Sequence, residues 1–249
     1  MVSFAAVLAF TAILSGLVNL DVAVVVAMPV ALRVAQHRGL PGGWLAIATA
    51  LTANATSFLL PTSNLTTLLV LSRSPISCWT YLRESWAAWL GVSALTVVGL
   101  ALVLSGRPSS VAKAVGDRGA SIGAVLDLMP MFACATAIRA LLGAELVLHG
   151  GFAWQAAVGT LLAAGVNNLP AAAAVHAIGD SGLWAAILAM AIGPNILLTG
   201  SVATLICRRI ARDRGVRLGA ARLSLLGMAV TPLQILVAVA GLHATGAIH

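Results

Sequence analysis

Two apolar stretches in each half of this chain are broken by polar, helix-disrupting residues, and the breaks recur in the same order. The first half carries Val18-Asn19-Leu20-Asp21 and then Pro61-Thr62-Ser63-Asn64-Leu65-Thr66-Thr67-Leu68. The second carries Val166-Asn167-Asn168-Leu169-Pro170, then Gly193-Pro194-Asn195 and Thr199-Gly200-Ser201-Val202-Ala203-Thr204-Leu205. The later break of each half closes on one pattern, Thr-x-x-(Leu/Val)-x-Thr-Leu, starting at Thr62 and at Thr199. Irregular polar backbone is tolerated in hydrocarbon only where it faces protein or a water-filled cavity. Interrupted apolar segments at corresponding places in two halves therefore point to a transporter's binding site.

The rest of the composition agrees with a membrane environment. Apolar residues make up 60% of the 249 and charged residues 8%, with a mean hydropathy of +1.03. A soluble domain carries roughly 25% charge, so this chain cannot cover itself with polar surface. Aromatic residues are sparse and period-two alternation is absent, which favours helices over a barrel. The length allows about six to eight membrane segments. The net charge of +7 reads as orientation and contact with anionic lipid rather than nucleic acid, because the basic residues cluster between apolar spans. Cys78, Cys134 and Cys207 are scattered, with neither metal-ligand spacing nor a disulfide framework, and read as small apolar filler. No cofactor is expected. Met1–Gly16 lacks a basic n-region and a small-x-small cleavage site, so it reads as mature membrane structure rather than a signal peptide.

The segments follow in order. Val2–Val18 and Val22–Ala35 are two apolar arms around Asn19-Leu20-Asp21, each short for a span, which predicts a re-entrant hairpin. Gly39-Leu40-Pro41-Gly42-Gly43 is a turn. Trp44–Leu71 is a helix broken between Asn54 and Asn64. Ser72–Ser85 is a polar connection or an interfacial helix, with Trp79, Tyr81 and Trp86 suited to the headgroup level. Trp86–Leu104 is a span, Gly106–Gly119 a basic loop, and Ala120–Gly143 a span interrupted at Met129-Pro130. Gly151–Ile178 is a second hairpin with its tip at Asn167-Asn168. Leu183–Cys207 is the second broken helix, Arg208–Arg222 a basic loop and Leu223–Leu242 the last span. This divides the chain into a first repeat over 1–105, a cytoplasmic loop over 106–119 and a second repeat over 120–249.

Charge counting orients these segments. If the first hairpin enters from the cytoplasm, Arg33, Arg38, Arg107, Lys113, Arg118, Arg208, Arg209, Arg212, Arg214, Arg217 and Arg222 lie inside. Arg73, Arg83 and Arg139 lie outside. That distribution obeys the positive-inside rule. It also makes the two hairpins enter from opposite faces, an inverted repeat. The expected fold is thus an all-α, multi-pass integral membrane protein of the inner (plasma) membrane, each repeat a re-entrant hairpin followed by a discontinuous helix.

In this arrangement the chain resembles the ion-transporter superfamily, and in detail its arsenite-permease branch. Val166-Asn167-Asn168-Leu169-Pro170 is similar to that family's Asn-Asn-Met/Leu-Pro hairpin tip. Gly193-Pro194-Asn195 and Thr199–Leu205 are similar to its Gly-Pro break and Gly-Ser-Leu-Ala-Thr-Leu continuation. Asn19 through Pro29 and Asn54 to Leu68 resemble the first hairpin and first broken helix more loosely. Family members are longer, and the leading scaffold helices of both repeats are missing here. Ala191-Ile192 stand where the family has an acid before Gly-Pro. The resemblance implies a secondary transporter, foremost one exporting arsenite, antimonite or a related small anion. Sodium-coupled anion or dicarboxylate transport, sodium–proton exchange, and a truncated, non-transporting subunit are its alternatives. The missing helices imply a homo-oligomer or a separately encoded partner.

The residues expected to hold substrate are Asn19, Ser63, Asn64, Thr67, Asn167, Asn168, Asn195, Ser201 and Thr204. Asparagine offers both donors and acceptors, which suits a neutral hydroxylated species such as arsenous acid, and half-helix N-termini favour anions. Pro61, Gly193, Pro194 and Gly200 make the breaks. Asp21 and Asp127 are intramembrane acids, costly and thus candidates for coupling a proton or sodium. The bland alternative for each polar residue is that it caps a half-helix and bonds its own backbone. His176 and Arg139 read as packed and snorkelling residues. The sequence has no His-Glu-x-x-His, no Gly-x-Ser-x-Gly and no paired carboxylates on one helical face, so an enzyme is not expected.

Overall fold

The computed structural model describes residues 2–106, 146–176 and 179–248. The expected span Ala120–Gly143, with Asp127, Cys134 and Arg139, and nearly all of the 106–119 loop lie outside the described residues. What is described is almost wholly helical. The order is α1 (Val2–Leu17), α2 (Leu20–His37), α3 (Gly42–Ala55), a 3-10 turn (Pro61–Ser63), α4 (Leu65–Leu71) and α5 (Cys78–Ser105). It continues with β1 (Leu146–Val147), α6 (Phe152–Val166), α7 (Asn168–Ala174), β2 (Val175–His176), α8 (Gly179–Ile192), a second 3-10 turn (Gly193–Ile196), α9 (Val202–Asp213) and α10 (Ala220–Thr245). β1 and β2 form one short parallel pair, Leu146 opposite Val175 and Val147 opposite His176. Helix, Asn-capped helix, helix, 3-10 turn, capped helix and long helix thus occur twice in the same order.

Each helix starts where its sequence supplies a cap. Asn19 accepts from the Asp21 N–H, so Leu20 and Asp21 belong to the first turn of α2 and not to an open tip. α2 therefore reaches 18 residues, about 27 Å at 1.5 Å per residue. With α5 and α10 it is long and apolar enough to cross a membrane. Ser77 caps α5 through the Thr80 N–H. The polar connection expected over Ser72–Ser85 is accordingly only Ser72–Ser77, and Thr80, Arg83 and Glu84 ride on the first turns of a 28-residue helix. Tyr81, expected at headgroup level, is instead fully buried and stacked on Trp184 at 5.0 Å, while Trp79 and Trp86 are exposed. α9 runs to Asp213, so Arg208, Arg209 and Arg212 are helical rather than part of a loop. The return arm of the second hairpin is shorter than expected: seven helical residues, then β2.

α3 and α8 are the centre of the molecule. Leu45 to Ala55 of α3 and Leu183 to Ile192 of α8 are buried on every side, as expected of helices apolar all round. Around α3 pack α1, α2, α9 and the C-terminal turns of α5; around α8 pack α6, α7 and the facing parts of α5 and α10. α5 and α10 run antiparallel in close contact. Gln234 Nε2 donates to Thr96 Oγ1 at 2.9 Å and Thr245 Oγ1 to the Glu84 carbonyl at 2.9 Å. Between these ties a Cβ on Gly91 would meet Val237 at 2.8 Å, and one on Gly241 would overlap the Ala88 backbone. Small residues at the crossing let two apolar helices gain dispersion where no hydrophobic drive separates them from lipid.

The two ends of the molecule differ in charge. At one end the C-terminal parts of α2 and α9 meet the N-termini of α3 and α10: Arg214 donates to the Pro29 carbonyl at 3.1 Å, the Arg222 guanidinium lies 5.4 Å from the Trp44 ring centroid, and a Cβ on Gly42 would touch Val216 at 3.6 Å. Arg33, Arg38, Arg208, Arg209, Arg212, Arg214, Arg217 and Arg222 belong to these segments. At the other end Arg73 bonds the carbonyls of Ala173 and Val175, both at 2.9 Å, and Trp184 Nε1 donates to Glu84 at 3.2 Å.

Candidate functional site

Four helix starts converge on one cavity. Its lining comes from Leu20 and Asp21 of α2, Asn64, Leu65 and Thr66 at the start of α4, Asn168 and Leu169 of α7, and Ser201 and Val202 at the start of α9. Its volume is about 80 Å³. The caps share one geometry. Asn19, Asn64 and Asn167 each accept, through Oδ1, the N–H two residues on, at 2.9, 3.0 and 3.2 Å. Ser201 Oγ accepts from the Ala203 N–H at 3.1 Å. One such bond meets one of about four orphan N–H groups per helix start, so the cavity wall keeps an excess of positive backbone dipole.

The hairpins are tied to the breaks by matching bonds. Asn19 Nδ2 donates to the Thr62 carbonyl at 3.3 Å, and Asn167 Nδ2 to the Thr199 carbonyl at 2.8 Å. Thr62 and Thr199 are the first residues of the repeated Thr-x-x-(Leu/Val)-x-Thr-Leu pattern, and Asn64 and Ser201, the caps, hold its third position. The repeat in sequence is thus a repeat in hydrogen bonding. The second tip carries more: the Asn168 N–H donates to the Gly200 carbonyl at 2.9 Å, and its Nδ2 to the Met190 carbonyl at 3.2 Å. Asn167 sits at φ +88, the one positive φ outside glycine among the described residues.

The breaks themselves are supported differently. Tyr81, Ser85 and Trp89, four residues apart on one face of α5, donate to the carbonyls of Phe58, Leu59 and Thr56 at 2.6, 3.0 and 2.8 Å. The second break, bonded by Asn167 and Asn168, adds close backbone packing. A Cβ on Gly227 of α10 would overlap the Asn195 carbonyl, one on Gly193 would sit 2.9 Å from Thr160 Cα, and one on Gly200 would sit 2.5 Å from the Pro194 carbonyl oxygen.

The expected site residues therefore separate into groups. Asp21, Asn64, Asn168 and Ser201 come together on the cavity, and Asn19 and Asn167 cap two of the four helix starts that form it. Ser63 bonds the Leu60 carbonyl at 2.6 Å, and Thr67, four residues on, is fully buried. Pro61 and Pro194 each stand in the first turn of a 3-10 helix. Asn195 and Thr204 are held in a buried network: Asn54 Nδ2 donates to Asn195 Oδ1 at 3.2 Å and to Thr204 Oγ1 at 2.9 Å. Asn195 Nδ2 in turn reaches the Leu51 carbonyl at 3.1 Å and Gln234 Oε1 at 3.5 Å. Asp127 lies outside the described residues.

Sequence reasoning did not assign Asn54, Thr96, Gln234 or the Tyr81–Ser85–Trp89 face. A lone amide such as Gln234 inside an apolar span, and three donors at intervals of four, were the available signals. Among the described residues no group of three His, Cys, Asp or Glu side chains could hold a metal ion. Comparison with protein-family models, curated proteins and solved structures finds no match for this chain.

Proposed function

We propose that this chain is a multi-pass secondary transporter of a small anion or hydroxylated metalloid, arsenite or antimonite first among them. The observation that carries this reading is the convergence of four capped helix starts on one cavity. Helix N-termini attract negative or strongly polar groups, and the Asn, Thr and Ser side chains beside them can both donate and accept. A volume of about 80 Å³ has room for a small inorganic species. Among the described residues Asp21 is the one ionisable side chain in the lining. Its charge competes with a bound anion for the same helix dipoles, which makes it the residue through which a proton or sodium couples to substrate.

The inverted-repeat reading has support of its own. α3 begins at the arginine-rich end and α4 finishes near Arg73 at the other; α8 begins beside Glu84's partner Trp184 and α9 finishes among the arginines. The two broken helices therefore run in opposite senses, and the matching Asn-to-Thr carbonyl ties relate the hairpins the same way. With the arginine-rich end cytoplasmic, as charge bias favours, single cysteines replacing Arg212 and Arg83 in a cysteine-free variant should label from opposite sides of the membrane. Labelling of both from outside intact cells overturns the topology.

The functional test is uptake into everted vesicles from cells expressing the chain, with arsenite, antimonite and a dicarboxylate in parallel. Asn64→Ala and Ser201→Ala should lose transport of the small species by tenfold or more while expression and detergent melting fall only by the loss of a cap, about 1 kcal/mol. Transport at wild-type rate in both variants would show that these residues only cap their helices. Absence of transport by the wild-type chain for every substrate would favour the reading as a non-transporting subunit.

A further inference from the structure

We propose that the arginine-rich end carries a binding site for the phosphate headgroup of an anionic membrane lipid, clamped by Arg208 and Arg212 of α9. Both side chains are exposed and stand four residues apart on one face of the helix, beside the buried face of Ala203, Thr204, Ile206, Cys207 and Ala211. Like charges at that spacing repel on an isolated helix. The negative C-terminal dipole of α9 offsets part of the repulsion, and an anion between the two guanidinium groups would remove the rest. The only carboxylate close by on the helix is Asp213, at its last position. Exposed Arg38 and Arg217 extend the patch, His37 and Arg33 flank it on α2, and Arg222 is parked over the Trp44 ring at 5.4 Å. An arginine on an indole at the end of a long apolar helix fits the level where lipid headgroups begin.

Lipid is favoured over a soluble anion by the apolar surface that starts at the same end of the molecule. α10 leaves the arginine-rich end with Leu225, Met228, Leu233 and Leu236 all about half exposed or more. A ligand for this end has a phosphate for the arginines and acyl chains for exposed apolar helix surface. The same α9 starts at Ser201 in the cavity lining and finishes at the clamp, so the lipid would hold the far end of a helix whose near end faces the cavity.

The full chain should be placed in phosphatidylcholine vesicles containing spin-labelled phosphatidylglycerol or spin-labelled phosphatidylcholine, and the relative association constants measured. The wild type should prefer phosphatidylglycerol. R208Q/R212Q should lower that preference by about five-fold for each arginine removed, the effect of roughly one basic residue at a charged surface. R208K/R212K should retain most of it, and R83Q, exposed at the opposite end, should retain all of it. Circular dichroism checks that each variant is folded; if the double variant is not, R208Q and R212Q singly should each show the smaller drop. An unchanged preference in the folded glutamine variants, or an equal drop in R83Q, overturns the proposal. So does inorganic phosphate raising the melting temperature of detergent-solubilised wild type as much as phosphatidylglycerol does, since the ligand would then be a free anion.

Discussion

The two breaks follow one sequence pattern, yet different physical means support them. Around the first, three side-chain donors from α5 meet the carbonyls of Thr56, Phe58 and Leu59. Around the second, glycine at positions 193, 200 and 227 lets neighbouring backbone approach. A helix interrupted in hydrocarbon must have its freed polar groups met by neighbours; the first break draws a row of donors from a long helix, while the second adds close backbone packing to the bonds from Asn167 and Asn168. The first solution tolerates small movements, because a side-chain donor can follow its acceptor. The second does not, because packed backbone has no rotamer to spare.

That contrast orders the stability losses. Gly227→Ala should be the most damaging single change, since its Cβ would overlap the Asn195 carbonyl and nothing there is the end of a flexible side chain. Overpacking costs about 1–3 kcal/mol in ordinary cores and more where backbone must shift. We expect loss above about 3 kcal/mol on that scale, read as a collapse of the detergent melting transition. A Gly227→Ala protein that melts like wild type would remove the rigid side of the comparison.

The donor side should give smaller, graded losses. Tyr81→Phe leaves a buried carbonyl unmet while nearly conserving volume and should cost about 1–2 kcal/mol; Trp89→Phe loses its donor and also shrinks the ring, and should cost at least as much. Ser85→Ala should cost less, because its single hydroxyl proton is shared between the Leu59 carbonyl and the Leu82 carbonyl within the helix. Melting of the three variants in one detergent checks the order. If Ser85→Ala proved the worst of the three, the first break would depend on something other than these donors.

Much of this was legible beforehand, and the residues show where legibility stopped. Asn19 and Asn167 stood out because a polar residue between two apolar runs is a local signal, and the structure puts both at helix starts. Asn64 and Ser201 were marked by the repeated threonine pattern. Tyr81 was misread because its environment depends on Trp184 and Phe58, distant in sequence, and an aromatic near a helix start looks the same whether it faces lipid headgroups or protein. Asn195 and Thr204 were expected at the binding site with the other polar residues of the breaks. Their bonds to Asn54 and the contact with Gln234 join α3, α9 and α10, and no periodicity in one segment announces a partner in another. The length of α5 was missed because the turn that starts it rests on one serine, Ser77, within a polar run.

The smallest effect separates the two hairpin tips. Asn19 caps α2 at φ −170 and ψ 144, ordinary extended backbone, whereas Asn167 does the same for α7 at φ +88 and ψ 143. Replacing a capping asparagine by alanine costs about 0.5–2 kcal/mol, and by glycine only a few tenths. At Asn19 the difference between Asn19→Ala and Asn19→Gly should be that capping difference alone. At Asn167 alanine must also hold a conformation natural only to glycine, which adds about 1–2 kcal/mol. Both substitutions at each tip lose the tie to a threonine carbonyl, so that loss cancels in the comparison. Melting of the four variants therefore isolates backbone strain: the alanine–glycine gap should be wider at 167 than at 19 by about 1 kcal/mol or more. Equal gaps would mean that the second tip stores no strain and that the two hairpins differ only in how many bonds hold them.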